Sequence, residues 1–330
     1  MIGATILGCA GQRLTPAEAR LFAQAQPWGF ILFRRNIETA AQTAALVAQL
    51  RATVGREAPV FVDQEGGTVQ RLRPPLARDW PDARAHRGGG RAAWLRHRLM
   101  AAELRAVGID GNCAPVIDVA GPATHPFLAR RCWSEDPARV IELGRAAAEG
   151  LLAGGVLPVL KHLPGHGAAN ADSHHDLPRV DLPLEKLAAR DFAPVRTLSD
   201  LPLGMTAHVV YAALDPHAAG TVSAAVIGHL RDVLGFDGLL MTDDIVMGAL
   251  GGPMAARTVA AIAAGCDLVL HCSGDLAEMA AVADAAGHLS GPAAARAERA
   301  LAARINPEAI DIAALEAEFE RLTEGTDAGT

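Results

Sequence analysis

The segment Val156-Leu157-Pro158-Val159-Leu160 runs straight into Lys161-His162-Leu163-Pro164-Gly165-His166-Gly167, and this junction sets the pattern for the chain. Five consecutive apolar residues closed by a polar, glycine-rich turn are too short for a helix and show no alternation, the mark of a strand buried on both faces. Working outward, similar runs recur: Thr5-Ile6-Leu7, Gly29-Phe30-Ile31-Leu32-Phe33, Pro59-Val60-Phe61-Val62 and Ile109 to Cys113 before it. Leu203-Gly204-Met205-Thr206, Gly238-Leu239-Leu240-Met241 and Asp267-Leu268-Val269-Leu270 follow it. Helix-like stretches with legible ends separate them. Thr15-Pro16-Ala17-Glu18 is a capping box with proline at the first helical position, and Asp136-Pro137 opens a helix that stops at Gly154-Gly155. Ser223 precedes an apolar stripe of Val226, Ile227, Leu230 and Leu234 that ends at Gly235. Eight strand–helix units predict one α/β domain over residues 1–330, a (β/α)8 TIM-type barrel with a C-terminal helix and tail from about 310. A doubly wound sheet would usually have fewer strands and a phosphate-binding glycine loop after the first. No fixed-period repeat is visible, and Gly88-Gly89-Gly90 reads as a surface loop.

Composition narrows the function. Half of the 330 residues are hydrophobic, a fifth are charged and mean hydropathy is +0.18, which excludes a disordered chain. A formal charge of -7 with no dense basic block argues against nucleic acid and anionic membranes as partners, and 4% aromatic content leaves little to stack bases on. Small neutral or anionic ligands stay open. No apolar run approaches the ~18 residues of a membrane helix. Ala4-Thr5-Ile6-Leu7-Gly8-Cys9 superficially resembles a lipoprotein cleavage site, but no Lys or Arg precedes it and the apolar run is too short. Cys9, Cys113, Cys132, Cys266 and Cys272 form no C-x-x-C pair and read as reduced buried thiols, so a soluble cytoplasmic protein, a monomer, is expected.

Reactive side chains cluster after the strands, the end where barrel active sites sit. They are Asp63-Gln64-Glu65-Gly66-Gly67 after the third strand, Lys161 to Gly167 after the fifth, His208 after the sixth and Asp243-Asp244 after the seventh. Lys161 to Asp176 is the densest segment, with Lys161, His162, His166, Asp172, His174, His175 and Asp176 among glycines. Two chemistries fit it. One is a metal-dependent hydrolase using His162, His166 and His174 as ligands, although such barrels usually carry a His-x-His pair after the first strand, where Gly8-Cys9-Ala10-Gly11 stands here. The other is acid/base catalysis by one loop histidine, oriented by a carboxylate, opposite a fixed carboxylate on another strand. The glycines at 165 and 167 imply a loop that moves.

The joint pattern of Val62 to Gly67, Ala114-Pro115-Val116-Ile117-Asp118, Lys161 to Gly167 followed by Asp172-Ser173-His174, Met205 to His208 and Thr242 to Met247 resembles glycoside hydrolase family 3, specifically its single-domain bacterial β-N-acetylglucosaminidases of peptidoglycan recycling. The resemblance implies a (β/α)8 barrel with no metal or organic cofactor. By that resemblance Asp243 matches the nucleophile, His174 the general acid/base and Asp172 the carboxylate orienting its ring. Asp63, Arg71, Arg131, Lys161 and His162 match positions that bind the non-reducing sugar. The family's usual Arg-Ser-Phe reads Arg131-Cys132-Trp133 here, with Arg130 as a second guanidinium one position earlier. The implied substrate is a saccharide or muropeptide ending in N-acetylglucosamine, released to water or, as a variant, to phosphate. Retaining hydrolysis needs an anionic nucleophile and a proton donor with a pKa near the working pH, and histidine at ~6.5 meets the second need. Adjacent Asp244 cannot share the orientation of Asp243, so a helix N-cap or a supporting hydrogen bond is expected of it. Lys161 also fits a salt bridge to Asp63. His166 and His175 read as loop residues, and a catalytically inactive scaffold is disfavoured by the presence of both Asp243 and His174.

Overall fold

The computed structural model describes residues 1–169, 177–307 and 309–324. Each of the eight apolar runs contains strand. Six strands form one parallel sheet in the order Val269–His271, Gly3–Leu7, Pro27–Leu32, Val60–Val62, Gly111–Asn112, Leu157–Pro158. Three more, Leu239–Met241, Leu203–Thr206 and Leu160–Leu163, form a second parallel sheet. Isolated parallel bridges at Val116 with Lys161 and at Met241 with Leu268 lie where the two sheets adjoin. The result is a TIM-barrel-like α/β arrangement of mostly parallel strands.

Side chains alternate along these strands between two burial environments, which is why the runs are apolar throughout. Ile6, Ile31, Phe61, Leu203, Met205, Leu239 and Met241 enter one interior cluster fed by both sheets. Their neighbours Leu7, Phe30, Leu32, Val60 and Val62 pack instead against the helices of the first half, and Leu240 against those of the second. At ~25 cal/mol per Å² of apolar surface, each strand thus contributes burial on both of its faces.

Helix ends follow the local chemistry. Thr15 caps Pro16–Ala25, its hydroxyl accepting from Glu18 N at 3.2 Å while its own N–H donates to Glu18 Oε2 at 2.9 Å. Asp136 caps Pro137–Ala153, and Ser223 accepts from Val226 N to start Ala224–Gly228. Beyond that helix the expected single stripe widens into a π-turn over His229–Val233, closed by Leu234 N donating to His229 O, and Leu230 and Leu234 both stay buried. Gly88-Gly89-Gly90 is less free than a surface loop: Gly90 begins the helix Gly90–Ala106 and its N–H donates to Glu142 Oε1 at 2.9 Å. The C-terminal helix, Ile312–Glu324, sets Phe319 edge-on against Trp80 with ring centroids 5.5 Å apart. No helix among the described residues is long and apolar enough to cross a membrane.

The fifth run departs from expectation in a way that matters for the site. It divides at Val159, whose N–H reaches both Asn112 O and Ala114 O, and pairing resumes over Leu160–Leu163. Lys161 and His162 therefore lie within a strand rather than after one, held by Lys161 N donating to Pro115 O and by the ladder to Gly204, Met205 and Thr206.

Candidate active site

The reactive residues that follow different strands converge on one cavity of about 280 Å³, lined among others by Asp63, Arg71, Arg131, Lys161, His162 and Asp243. Part of its lining is apolar, with Ile31, Phe33, Met205 and Leu270 among it, and along the rest charges of opposite sign alternate. Arg71 Nη2 donates to Asp63 Oδ2 at 3.0 Å, and Lys161 Nζ bridges Asp63 Oδ1 at 2.9 Å and Glu65 Oε1 at 2.6 Å. Arg131 grips Glu65 with two parallel bonds of 2.9 Å, and its Nη2 lies 3.3 Å from His162 Nε2. His162 Nδ1 is 2.7 Å from Asp118 Oδ2. Buried ions persist only when paired and hydrogen-bonded, and that condition is met by Arg71, Lys161 and Arg131 against Asp63 and Glu65, with Asp118 held by His162 and by backbone N–H groups.

The same pairing sets the protonation states. Burial pushes the Asp63 carboxyl up, but the charges and hydrogen bonds of Lys161 and Arg71 outweigh it, so it lies well below the usual carboxylate range. Glu65 is lowered likewise, with Arg131 and Lys161 overcoming burial. Asp118 falls to about 2, because His162, His166 and the His166 N–H together exceed its burial. Burial would lower Lys161, yet Asp63 and Glu65 raise it, so it stays cationic.

Asp243 and Asp244 are adjacent but chemically separated. Burial raises Asp243, while His162, His208 and the Asp244 N–H donating to its Oδ1 at 2.8 Å bring it below its ordinary value. Asp244 is pushed up to about 6, chiefly by burial, and its Oδ1 accepts from Val246 N and Cys272 N at 3.2 Å each. Both line the cavity, but Asp243 is held below its ordinary value while Asp244 is raised and commits its Oδ1 to two backbone N–H groups. That split is how neighbouring acids acquire different roles. His208, fully buried, supports the pair from behind. Its Nε2 donates to Asp244 O at 3.0 Å, which leaves Nδ1 to accept from Thr221 Oγ1 at 2.7 Å.

The expected sugar-binding set, Asp63, Arg71, Arg131, Lys161 and His162, is brought together with Asp243. Of the two guanidiniums, Arg131 faces the cavity, whereas Arg130 is exposed at the end of the short helix Pro126–Ala129. His174, Asp172 and His175 lie outside the described residues. His166 does lie in the loop after the strand, but it is buried, 5% exposed, lines the cavity and sets its ring 5.7 Å from that of His162, with burial lowering it to about 4. Its N–H donates to Asp118 Oδ1 at 2.7 Å, which draws the turn inward. Gly165 and Gly167 also carry another meaning than mobility. A Cβ at Gly165, φ +143°, would meet Asp191 O at 2.5 Å, and one at Gly167 would run into Val119 O. They permit close backbone packing, reinforced by Tyr211 Oη donating to Gly165 O at 2.9 Å.

Glu65 and Asp118 carry no role in the sequence reading, yet they hold the charged wall together. Their signal is arithmetic: buried Lys161 and Arg131 need anions, and Asp63 alone is one too few. For a metal the described residues fit poorly, because both nitrogens of His162 are engaged, one by Asp118 and the other by a guanidinium that would repel a cation.

Comparison with known proteins agrees with this geometry. The Glycosyl hydrolase family 3 N terminal domain matches residues 7–305. A Beta-hexosaminidase from Alkalilimnicola ehrlichii is 38% identical over 285 residues, covering 83% of this chain and 81% of the relative. NagZ from Neisseria gonorrhoeae, solved with N-trifluoroacetyl-D-glucosamine, superposes with a TM-score of 0.82 at 28% identity over 98% of this chain and 96% of that one. A family 3 β-N-acetylglucosaminidase from a Paenibacillus species gives a TM-score of 0.82 at 30% identity over 99% of this chain, which spans 63% of that longer protein. A match running through the strands that carry Asp63, Lys161 and Asp243 alike makes this chain a member of glycosyl hydrolase family 3.

Proposed function

We propose that the protein is a retaining exo-β-N-acetylglucosaminidase that removes the non-reducing N-acetylglucosamine of 1,6-anhydro-muropeptides in peptidoglycan recycling. Its class, β-N-acetylhexosaminidase, is that of the named relatives. The observation that carries the reading is Asp243, a carboxylate held below its ordinary pKa in a cavity where Asp63, Lys161 and Arg131 are already paired. In the proposed reaction Asp243 attacks the anomeric carbon while His174, oriented by Asp172, protonates the leaving oxygen. His174 then takes a proton from water as that water displaces Asp243. Asp63, Arg71, Arg131, Lys161 and His162 bind the sugar's hydroxyls and N-acetyl group. A cavity of about 280 Å³ suits one terminal sugar better than a run of them.

The finer architecture belongs to the same proposal. The two sheets close into a single (β/α)8 barrel of one domain, supported by the shared interior cluster and the bridges at Lys161 and Leu268. A cytoplasmic monomer needing no cofactor is in keeping with five buried free thiols. Rates on an aryl β-N-acetylglucosaminide and an aryl β-glucoside, with and without phosphate, test the reading. A strong preference for the first with free N-acetylglucosamine as product supports it; preference for glucoside, or sugar 1-phosphate as main product, overturns the assignment.

A further inference from the structure

We propose that Asp118 is a positioning residue that fixes His162 in the Nδ1–H tautomer, so that Nε2 accepts from Arg131 at the wall of the substrate cavity. Asp118 is fully buried and touches the cavity only through others. Its Oδ2 lies 2.7 Å from His162 Nδ1, and its Oδ1 accepts from the backbone N–H of His166 at 2.7 Å and of His162 at 3.3 Å. Both oxygens are therefore committed to N–H donors. On its other side His162 Nε2 faces Arg131 Nη2 at 3.3 Å, and a guanidinium only donates. A proton on Nε2 would oppose that cation, whereas a proton on Nδ1 completes the bond to Asp118. The carboxylate at one end and the guanidinium at the other thus select the same tautomer.

The consequence is chemical. With Nε2 as acceptor, His162 and Glu65 hold the Arg131 guanidinium between them, which fixes how its remaining N–H groups meet a sugar hydroxyl or N-acetyl oxygen in the cavity. An asparagine at 118 cannot reproduce this. The two backbone N–H groups claim its single oxygen, its NH2 then faces Nδ1, and the ring must move its proton to Nε2. A carboxylate that sets a histidine tautomer by this logic is familiar from serine proteases.

The kinetic part of the test rests on the hexosaminidase reading; the spectroscopic part does not. In long-range 1H–15N spectra of the full-length protein, with His162 assigned by its loss in His162→Gln, wild type should show a pyrrole-type Nδ1 and a pyridine-type Nε2. Asp118→Asn should reverse them. An Nε2–H or doubly protonated ring in wild type, or an unchanged pattern in Asp118→Asn, overturns the proposal, and the wild-type spectrum decides even if the variant does not fold. With aryl β-N-acetylglucosaminide, Asp118→Asn should raise KM roughly tenfold, the worth of one hydrogen bond, with kcat within about threefold. A fall in kcat at constant KM is what a mere loss of folded enzyme gives, and it counts against positioning. Absence of wild-type turnover would refute the activity while leaving the tautomer result intact.

Discussion

Replacing Glu65 with Gln removes the anion that two buried cations share while leaving the volume unchanged. Glu65 accepts Arg131 Nε and Nη2 at 2.9 Å each and Lys161 Nζ at 2.6 Å, and the three side chains are 6%, 9% and 3% exposed respectively. Breaking a buried pair by removing one partner costs about 3–5 kcal/mol, because the partner's charge is left uncompensated. Lys161 keeps Asp63 at 2.9 Å, which places the expected loss near the lower end, about 3 kcal/mol. With an unfolding entropy of about 2.1 cal/mol/K per residue over 330 residues, that loss lowers Tm by roughly 4 °C. Scanning calorimetry at pH 7 measures it, with Glu57→Gln as control, since the Glu57 side chain is 79% exposed opposite Arg51 and should shift Tm by less than about 1 °C. If Glu65→Gln melts within about 1 °C of wild type, or no lower than the control, the paired-charge account of the cavity wall is wrong.

Asp243→Asn should lower kcat on aryl β-N-acetylglucosaminide by roughly 10³-fold or more, whereas Asp244→Asn, whose amide oxygen can still accept from Val246 and Cys272, should lose less than about tenfold. Steady-state rates on the two purified variants check this. Stability should fall as pH drops below about 6.5. Burial holds His97 at about 3 and His86 and His166 at about 4, so the unfolded chain binds more protons below the ordinary histidine value and stability is lost toward those folded values. The lowered Asp118 adds a further loss between ordinary carboxylate pH and about 2. Asp191 and Asp244, both raised to about 6, oppose the trend, since their stabilisation is present at low pH and fades as pH rises through 6. Calorimetry from pH 7 to 4 should show Tm falling, with a shallower slope in His97→Gln; a flat or rising Tm would contradict it. Gly167→Ala drives a methyl against Val119 O and should cost a few kcal/mol, read as a lower urea midpoint, whereas Gly251→Ala, with open space around it, should change little.

Strand positions were legible because each run is apolar on both faces, and caps such as Thr15 with Glu18 are written within four residues. The face carrying the chemistry was legible for the same reason, since reactive groups follow strands. Pairings were not. Lys161 meets Asp63 across 98 residues, Arg131 meets Glu65 across 66 and His162 meets Asp118 across 44, and nothing local encodes which anion neutralises which cation. Lys161-His162 was misplaced beyond the strand because polar residues normally end a buried run, and only the neighbouring charges make them tolerable inside one. The burial of the loop residue His166 is not legible because glycines on both sides suggest freedom, when here they allow the backbone to press against Val119 and Asp191.

A covalent bond between Asp243 and the sugar is the step on which the proposed reaction rests. Incubation with a fluorinated, slowly released N-acetylglucosaminide, followed by intact mass and peptide mapping, tests it directly. One added glycosyl mass on the peptide containing Asp243, abolished in Asp243→Asn, is the predicted result; a label on Asp63 or Asp244 would contradict the account.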